Sequence, residues 1–402
     1  MKIGIFTNCY LPMVNGIVKM ISLLKKGLTE QGHQVYIFAP EYDDYRDQEE
    51  QVYRFPAFDL TRRIKYPIPV PWSPKIHQLI HDLDLDIVHC HHPFILGRLG
   101  VKVAWQKKIP VVFTFHTQYE QYAHYVPLPQ WVVKFFTKHL VSKFCGTVDE
   151  IIIPAESAKQ ILQDYGINNR VRVIPNPIDL SQFQNRNGGV IRKRYGLKGE
   201  KLLITIGRVA PEKNLPFLLE MYQYIQRQTA PDTTRLMIVG AGPELDSLQE
   251  RAEKLGIAAQ VIFTGLVDPA EIPNYLAAAD IFVMASHSEV KPLAQLEAMA
   301  AGLPIVAVSA PGAVDTVIHG ENGFLVKEDL MEFSLAVLEI ISNPEKQLQF
   351  QKAAQKTAAN YSHIKIARDY GNLYDDLIQN NSRPHPADPF WPQRQYGFKR
   401  LK

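Results

Sequence analysis

The sequence predicts an α/β protein built from two doubly wound, largely parallel domains. Three observations carry this. The chain has 402 residues, more than one ordinary core accommodates, which favours two domains of roughly 150 to 200 residues. Short β-rich runs alternate with helical patterns throughout, as βαβ units require. Several strand-like runs lead directly into turns that carry glycine or charge and open a helix, the place where open α/β sheets bind ligands.

In the first half the strand-like runs are 2–7, 34–39, 86–89, 110–115, 150–153 and 171–174; in the second they are 202–206, 236–239, 260–263, 281–284, 304–308 and 324–326. Between them, Gln184-Asn-Arg-Asn-Gly-Gly189 is polar and turn-rich, which sets the domain boundary between Pro175 and Lys201. The resulting division is 1–180, 181–362, a helix over 363–381 expected to cross back to the N-terminal domain, and a tail over 382–402 outside either core. The break at Asn380-Asn-Ser-Arg-Pro-His-Pro386 ends that helix.

A hydrophobic content of 46% with 21% charged residues is that of a folded protein. A net charge of only +3 argues against nonspecific nucleic-acid binding as the main activity. Cys9, Cys90 and Cys145 are scattered, suggesting neither a disulfide framework nor a zinc site, and they fit a reducing cytosol. Met1-Lys-Ile-Gly-Ile-Phe-Thr7 reads as a first buried strand rather than a signal peptide. No run approaches the roughly 18 to 20 apolar residues of a membrane span, so any membrane contact is expected to be peripheral.

Glu289 and Glu297 stand with seven residues between them where the run 281–284 turns into a short helix ending at Gly302, a natural place for a polyhydroxyl ligand. Gly207-Arg208-Val-Ala-Pro-Glu-Lys213-Asn214 follows a strand and precedes a helix. Its two permanent cations suit an anion such as a diphosphate, the alternative being a solvated loop. Gly240-Ala-Gly242-Pro lacks the third glycine of a dinucleotide fingerprint, because Leu245 stands there, and reads as a structural turn. Leu11-Pro-Met-Val-Asn15-Gly16-Ile17 lies between the first strand and the first helix, where glycine allows close backbone approach to a ligand.

His89-Cys-His91-His92 has the residue types of a metal cluster, but alternate residues at a strand end point to opposite faces, so loop and core histidines are expected. Asp82, Asp84 and Asp86 precede a strand and read as a capped turn. His116 leaves a strand end, placed to hydrogen-bond a hydroxyl. Tyr119, Glu120, Tyr122, His124 and Tyr125 follow it as candidates for an acceptor groove.

The segment 129–144 is helical in pattern and carries Trp131, Lys134, Phe135, Phe136, Lys138 and Lys143 without an acidic residue. It reads either as an in-plane membrane anchor or as an amphipathic core helix with a basic edge. The tail interleaves Arg383, Arg394, Lys399, Arg400 and Lys402 with Phe390, Trp391, Tyr396 and Phe398. Anionic lipid attracts such a segment by roughly 1 kcal/mol per basic residue; a solvated tail is the other reading.

Together, Gly16, His116, Gly207-Arg208 through Lys213-Asn214, Gly240-Ala-Gly242-Pro and the Glu289–Glu297 spacing resemble the family-4 retaining glycosyltransferases of GT-B fold, with two Rossmann-like domains facing a central cleft. The resemblance extends to about residue 378. Within that family, 3–12 and 114–126 are similar to diacylglycerol glucosyltransferases.

The resemblance implies a nucleotide-sugar donor, UDP-glucose, as co-substrate, with no cofactor and no metal. Arg208 and Lys213 would neutralise the diphosphate, Glu289 bind hydroxyls of the donor sugar and Glu297 hold the ribose. The catalytic set is then His116, Arg208, Lys213 and Glu289. The donor site adds Gly16, Lys291, Pro292, Leu293 and Glu297. Contact with a lipid acceptor or membrane falls to Tyr119, Glu120, Tyr122, His124, Trp131, Lys134, Phe135 and Lys138.

Relatives commonly carry a glycine near position 292, whereas here Pro292 removes an amide donor and Lys291 offers a compensating charge. The catalytic base is left unassigned. The expected location is the cytoplasm, peripherally on the inner face of the cell membrane, with anionic lipid rather than specific nucleic acid as partner. A soluble sugar, sugar-phosphate or polysaccharide acceptor is the alternative. A nucleotide-sugar epimerase is the rival from another class, and a non-catalytic nucleotide-sugar sensor the remaining one.

Overall fold

The computed structural model describes residues 1–58, 67–116, 129–167, 170–286 and 291–380, apart from the side chain of Lys134. Fifteen strands are present among them. The N-terminal half contains β1 (Lys2–Phe6), β2 (Gln34–Pro40), β3 (Val52–Phe55), β4 (Ala57–Phe58), β5 (Ile68–Pro69), β6 (Ile87–Cys90), β7 (Val111–Thr114), β8 (Glu150–Ile153) and β9 (Val171–Val173). The C-terminal half contains β10 (Lys201–Ile206), β11 (Thr234–Val239), β12 (Val261–Gly265), β13 (Ile281–Met284), β14 (Ile305–Val308) and β15 (Gly323–Val326).

The first sheet is ordered β3-β2-β1-β6-β7-β8-β9 and the second β12-β11-β10-β13-β14-β15, and every strand pair in both is parallel. Helices cover both faces, which is why central strands such as β6, β7, β13 and β14 are buried along their whole length. β4 and β5 form a separate antiparallel hairpin.

The strand orders reverse direction in sequence between β1 and β6 and between β10 and β13. These are the topological switch points, where the loops diverge and leave a crevice. The segments after β1, β6, β10 and β13 therefore lead into Gly16, His91 and His92, the Arg208–Lys213 turn and the helix that carries Glu297.

The chain enters the C-terminal core at Ile178, which packs there with Phe183, Ile191, Leu202 and Ile204. It leaves again near Tyr361. The two crossovers lie side by side: Ile178 bridges Ser362, its N–H donates to Tyr361 C=O at 2.8 Å, and its C=O accepts from His363 N–H at 2.9 Å. The last helix, His363–Gln379, then packs Ile366, Ala367, Tyr370, Leu373 and Tyr374 among N-terminal residues including Ile3, Ile21 and Leu24. Among the described residues no helix is long and apolar enough to cross a membrane.

That return depends on close approach to the first helix, Gly16–Glu30. A Cβ at Gly27 would lie 2.6 Å from Ala367 Cβ and 2.7 Å from the His363 carbonyl oxygen. Alanine at an open helical site is more favourable than glycine by about 1 kcal/mol. Here the sign is expected to reverse: Gly27→Ala should lower the urea midpoint, at a cost of about 1–3 kcal/mol for overpacking. An unchanged or raised midpoint would show that the two helices are not in this contact.

Candidate functional site

After β1 the chain turns through Asn15, whose side chain caps the first helix by accepting from Val18 N–H at 2.9 Å. Gly16 begins that helix and faces the other half of the protein: a Cβ there would be 3.6 Å from Leu293 Cδ1. One turn on, the Lys19 ammonium forms an ion pair with the Glu297 carboxylate. Glu297 is buried, on the helix Leu293–Ala300 that follows β13. The two switch points thus meet through Gly16, Lys19, Leu293 and Glu297.

At the end of β10 two glycine turns nest together. A Cβ at Gly240 would sit 1.9 Å from Gly207 C=O, and one at Gly242 would sit 2.1 Å from Val209 C=O. Backbone bonds from Gly207 N–H to Val239 C=O and from Val209 N–H to Ala241 C=O, both 3.0 Å, lock the turns. Gly240-Ala-Gly242 therefore packs as a support for the Gly207 loop.

Arg208 is exposed on that loop. The Lys213 side chain runs past Gly207, with Cε 3.6 Å and Nζ 3.9 Å from where a Cβ would stand. Burial lowers the Lys213 pKa while neighbouring Glu212 opposes the shift. Ser286, just beyond β13, donates to Glu212 C=O at 3.0 Å and ties the two strand ends together. A half-buried lysine and an exposed arginine thus both lie at the carboxyl edge of this sheet.

Lys291 does not extend this cationic surface. Its side chain turns inward, and Nζ donates to Thr316 Oγ1 at 2.6 Å and lies 4.8 Å from the centroid of the Tyr361 ring. The expectation of a compensating charge toward a phosphate is corrected accordingly, because that ammonium is already engaged. Pro292 is buried behind it as the cap of the helix carrying Leu293 and Glu297.

In the N-terminal half strand alternation puts His89 and His91 on one face, their ring centroids 4.0 Å apart, and His92 on the other. His89 lies between Tyr374 Oη and Thr114 Oγ1, at 2.7 Å from each. His92 joins the loop after β1, with Nδ1 accepting from Asn8 N–H at 3.2 Å. His91 Nδ1 and His116 Nε2 are 2.8 Å apart with their rings stacked, so one ring donates and the other accepts. Burial holds all four below the usual histidine range, His89 at about 3 and His92 at about 4. His116 is thus a neutral imidazole, half-buried at the end of β7. Among the described residues no group of three or more His, Cys, Asp or Glu side chains is arranged to hold a metal ion.

The helix Gln130–Cys145 divides along its length. Val141, Phe144 and Cys145 are buried in the N-terminal core, while Trp131, Phe135 and Phe136 are 75%, 65% and 64% exposed. Lys138 turns its ammonium over the Tyr165 ring at 5.3 Å. Tyr119, Glu120, Tyr122, His124, Glu289 and the Lys134 side chain lie outside the described residues.

Sequence reasoning passed over Lys19. Its signal was a lysine in the opening turns of a helix, where the helix dipole disfavours a cation and a partner from elsewhere is called for. Asn176, Thr316 and Tyr361, which hydrogen-bond to Lys291, gave no signal of their own.

A model described as Glycosyltransferase Family 4 matches residues 14–182, and one described as Glycosyl transferases group 1 matches residues 189–357. The chain is 36% identical to the alpha-monoglucosyldiacylglycerol synthase of Streptococcus pneumoniae, over 95% of this chain and 87% of that protein. It is 28% identical to the synthase of the same name from Acholeplasma laidlawii, over 95% and 99%. The crystal structure of Anabaena HepE in complex with UDP superposes with a TM-score of 0.75 at 18% identity, covering 94% of this chain and all of that one. With both halves matched in order, and each switch-point loop on its own parallel sheet, the protein belongs to family 4 of the glycosyltransferases and has the GT-B fold.

Proposed function

We propose that this glycosyltransferase moves glucose from UDP-glucose to the free hydroxyl of 1,2-diacylglycerol, with retention, giving an α-glucolipid at the inner face of the cell membrane. The observation that carries the lipid acceptor is the exposed Trp131–Phe135–Phe136 surface on the N-terminal half. The names of two relatives matched along nearly their whole length support the same reading. Aromatic side chains beside lysines suit the interface of an anionic bilayer.

In the proposed reaction the acceptor oxygen attacks the anomeric carbon from the face on which the diphosphate leaves. The new C–O bond forms as the bond to the β-phosphate oxygen breaks, and the hydroxyl proton passes to a phosphate oxygen of the departing UDP. Negative charge builds up on the diphosphate, and Arg208 and Lys213, fixed at the end of β10, stabilise it without a divalent ion. With Nε2 engaged by His91, neutral His116 has Nδ1 left for a hydroxyl, accepting from it when Nε2 carries the proton and donating to it when Nε2 does not. Glu289 and Glu297 hold sugar and ribose hydroxyls.

Incubation with UDP-glucose and diacylglycerol in anionic vesicles should yield glucosyl-diacylglycerol and UDP in equal amounts. Transfer only to a soluble sugar would overturn the acceptor assignment, and solvent hydrogen incorporated into the donor sugar would indicate an epimerase. Lys213→Met should lower kcat/KM by about 100-fold, the scale of losing one preorganised charge-stabilising group, with vesicle binding retained. A loss below threefold would remove Lys213 from the site.

A further inference from the structure

We infer that Lys291 is a positioning residue, tying both interdomain crossovers to the start of the helix that carries Glu297. The inference rests on the proposed role of Glu297 in donor binding and adds to it the means by which that carboxylate is held in place.

Lys291 is only 6% exposed, and its carbonyl and its ammonium are both engaged. Its carbonyl accepts from Asn176 Nδ2 at 3.2 Å, and Asn176 lies in the first crossover. Its ammonium reaches Thr316 Oγ1 at 2.6 Å, and Asp315 C=O and Tyr361 Oη at 3.4 Å each, Tyr361 lying at the second crossover. The Asp315 carboxylate accepts from Ser157 N–H at 3.2 Å and from Ser157 Oγ, and Ser157 belongs to the N-terminal half. Ser157 Oγ in turn accepts from Gly312 N–H at 3.3 Å. Lys291 thus joins the donor-side helix to both connections between the domains, its backbone carbonyl holding the first and its ammonium the second, and through Asp315 to a direct contact across them. Pro292 follows immediately, and its fixed φ passes the placement of Lys291 on to Leu293.

Stability alone gives no reason for this lysine. A buried ammonium is costly, and a methionine would fill nearly the same volume without desolvating a charge. The titratable groups facing it among the described residues are Asp315, whose charge favours the ammonium, and Tyr361, whose hydroxyl burial keeps neutral. Burial is the larger effect and brings the Lys291 pKa down to about 8. The ammonium form is therefore present at neutral pH and lost as pH rises through that value, which weakens the charge-assisted bonds to Thr316 and Tyr361.

The test compares the full-length protein with Lys291→Met and Thr316→Val. Hydrogen–deuterium exchange of the ligand-free proteins at pH 7 should speed up by at least about tenfold over 292–300, with β10 and β14 unchanged and no large fall in Tm. With the nucleotide sugar that the wild type accepts, KM should rise about fivefold or more with a smaller change in kcat. The wild-type fall in kcat/KM with a midpoint near pH 8 should be absent from Lys291→Met. Unchanged exchange over 292–300, or exchange accelerated equally throughout the C-terminal half, would overturn the positioning role, as would an alkaline limb that persists in Lys291→Met. If the wild type fails to use UDP-glucose, the proposed function fails, and the exchange measurement still decides this inference.

Discussion

Two chain crossings placed side by side, at Ile178 and Ser362, fix how the two halves of this protein meet. Their mutual backbone bonds mean that neither crossing can move without the other. The helix His363–Gln379 then anchors the second crossing to the first helix of the N-terminal half, through the gap left by Gly27. Each sheet has one switch point, and the crossings bring the loops from the two switch points into contact. Neither half alone brings Gly16 and Lys19 to Leu293 and Glu297.

The contact is chemically specific. Lys19 comes from the N-terminal half and Glu297 from the C-terminal half, and the carboxylate is nearly covered. Removing the partner of a charge so placed leaves it unpaired in a poorly solvated site, which is expensive. Glu297 therefore depends on the other domain for its charge partner and its orientation. The cationic turn at the end of β10 is built differently: Gly207, Gly240 and Gly242 pack backbone against backbone, and the turn owes its shape to the C-terminal half alone.

Much of the architecture was legible in the sequence because parallel strands buried on both faces read as short apolar runs. β13 and β14 are of that kind. β3 was not, since Val-Tyr-Arg-Phe alternates and carries an arginine. That arginine is consumed inside the fold: Arg54 donates to Asp47 Oδ2 at 2.9 Å, Pro40 C=O at 2.8 Å and Leu11 C=O at 2.6 Å. The short hairpin β4–β5 offered too few residues for any periodicity. In the site, glycine turns and paired charges after strands were visible because strand-to-helix turns are local in sequence. Lys19 pairs with a residue 278 positions away and Lys291 with one 70 positions away. No local pattern encodes such distant partners, so the sequence offers for Lys291 only a charge that compensates for Pro292 in the donor site.

In the proposed donor complex the ribose is held by Glu297 through its ion pair with Lys19, which spans the two domains. A double-mutant cycle on donor kcat/KM, using Lys19→Met, Glu297→Gln and the double variant, tests it most directly. Coupled groups should give a double variant no worse than the poorer single one, a coupling of about 1 kcal/mol or more. Losses that simply add would contradict the claim and leave Lys19 and Glu297 as independent residues on opposite domains.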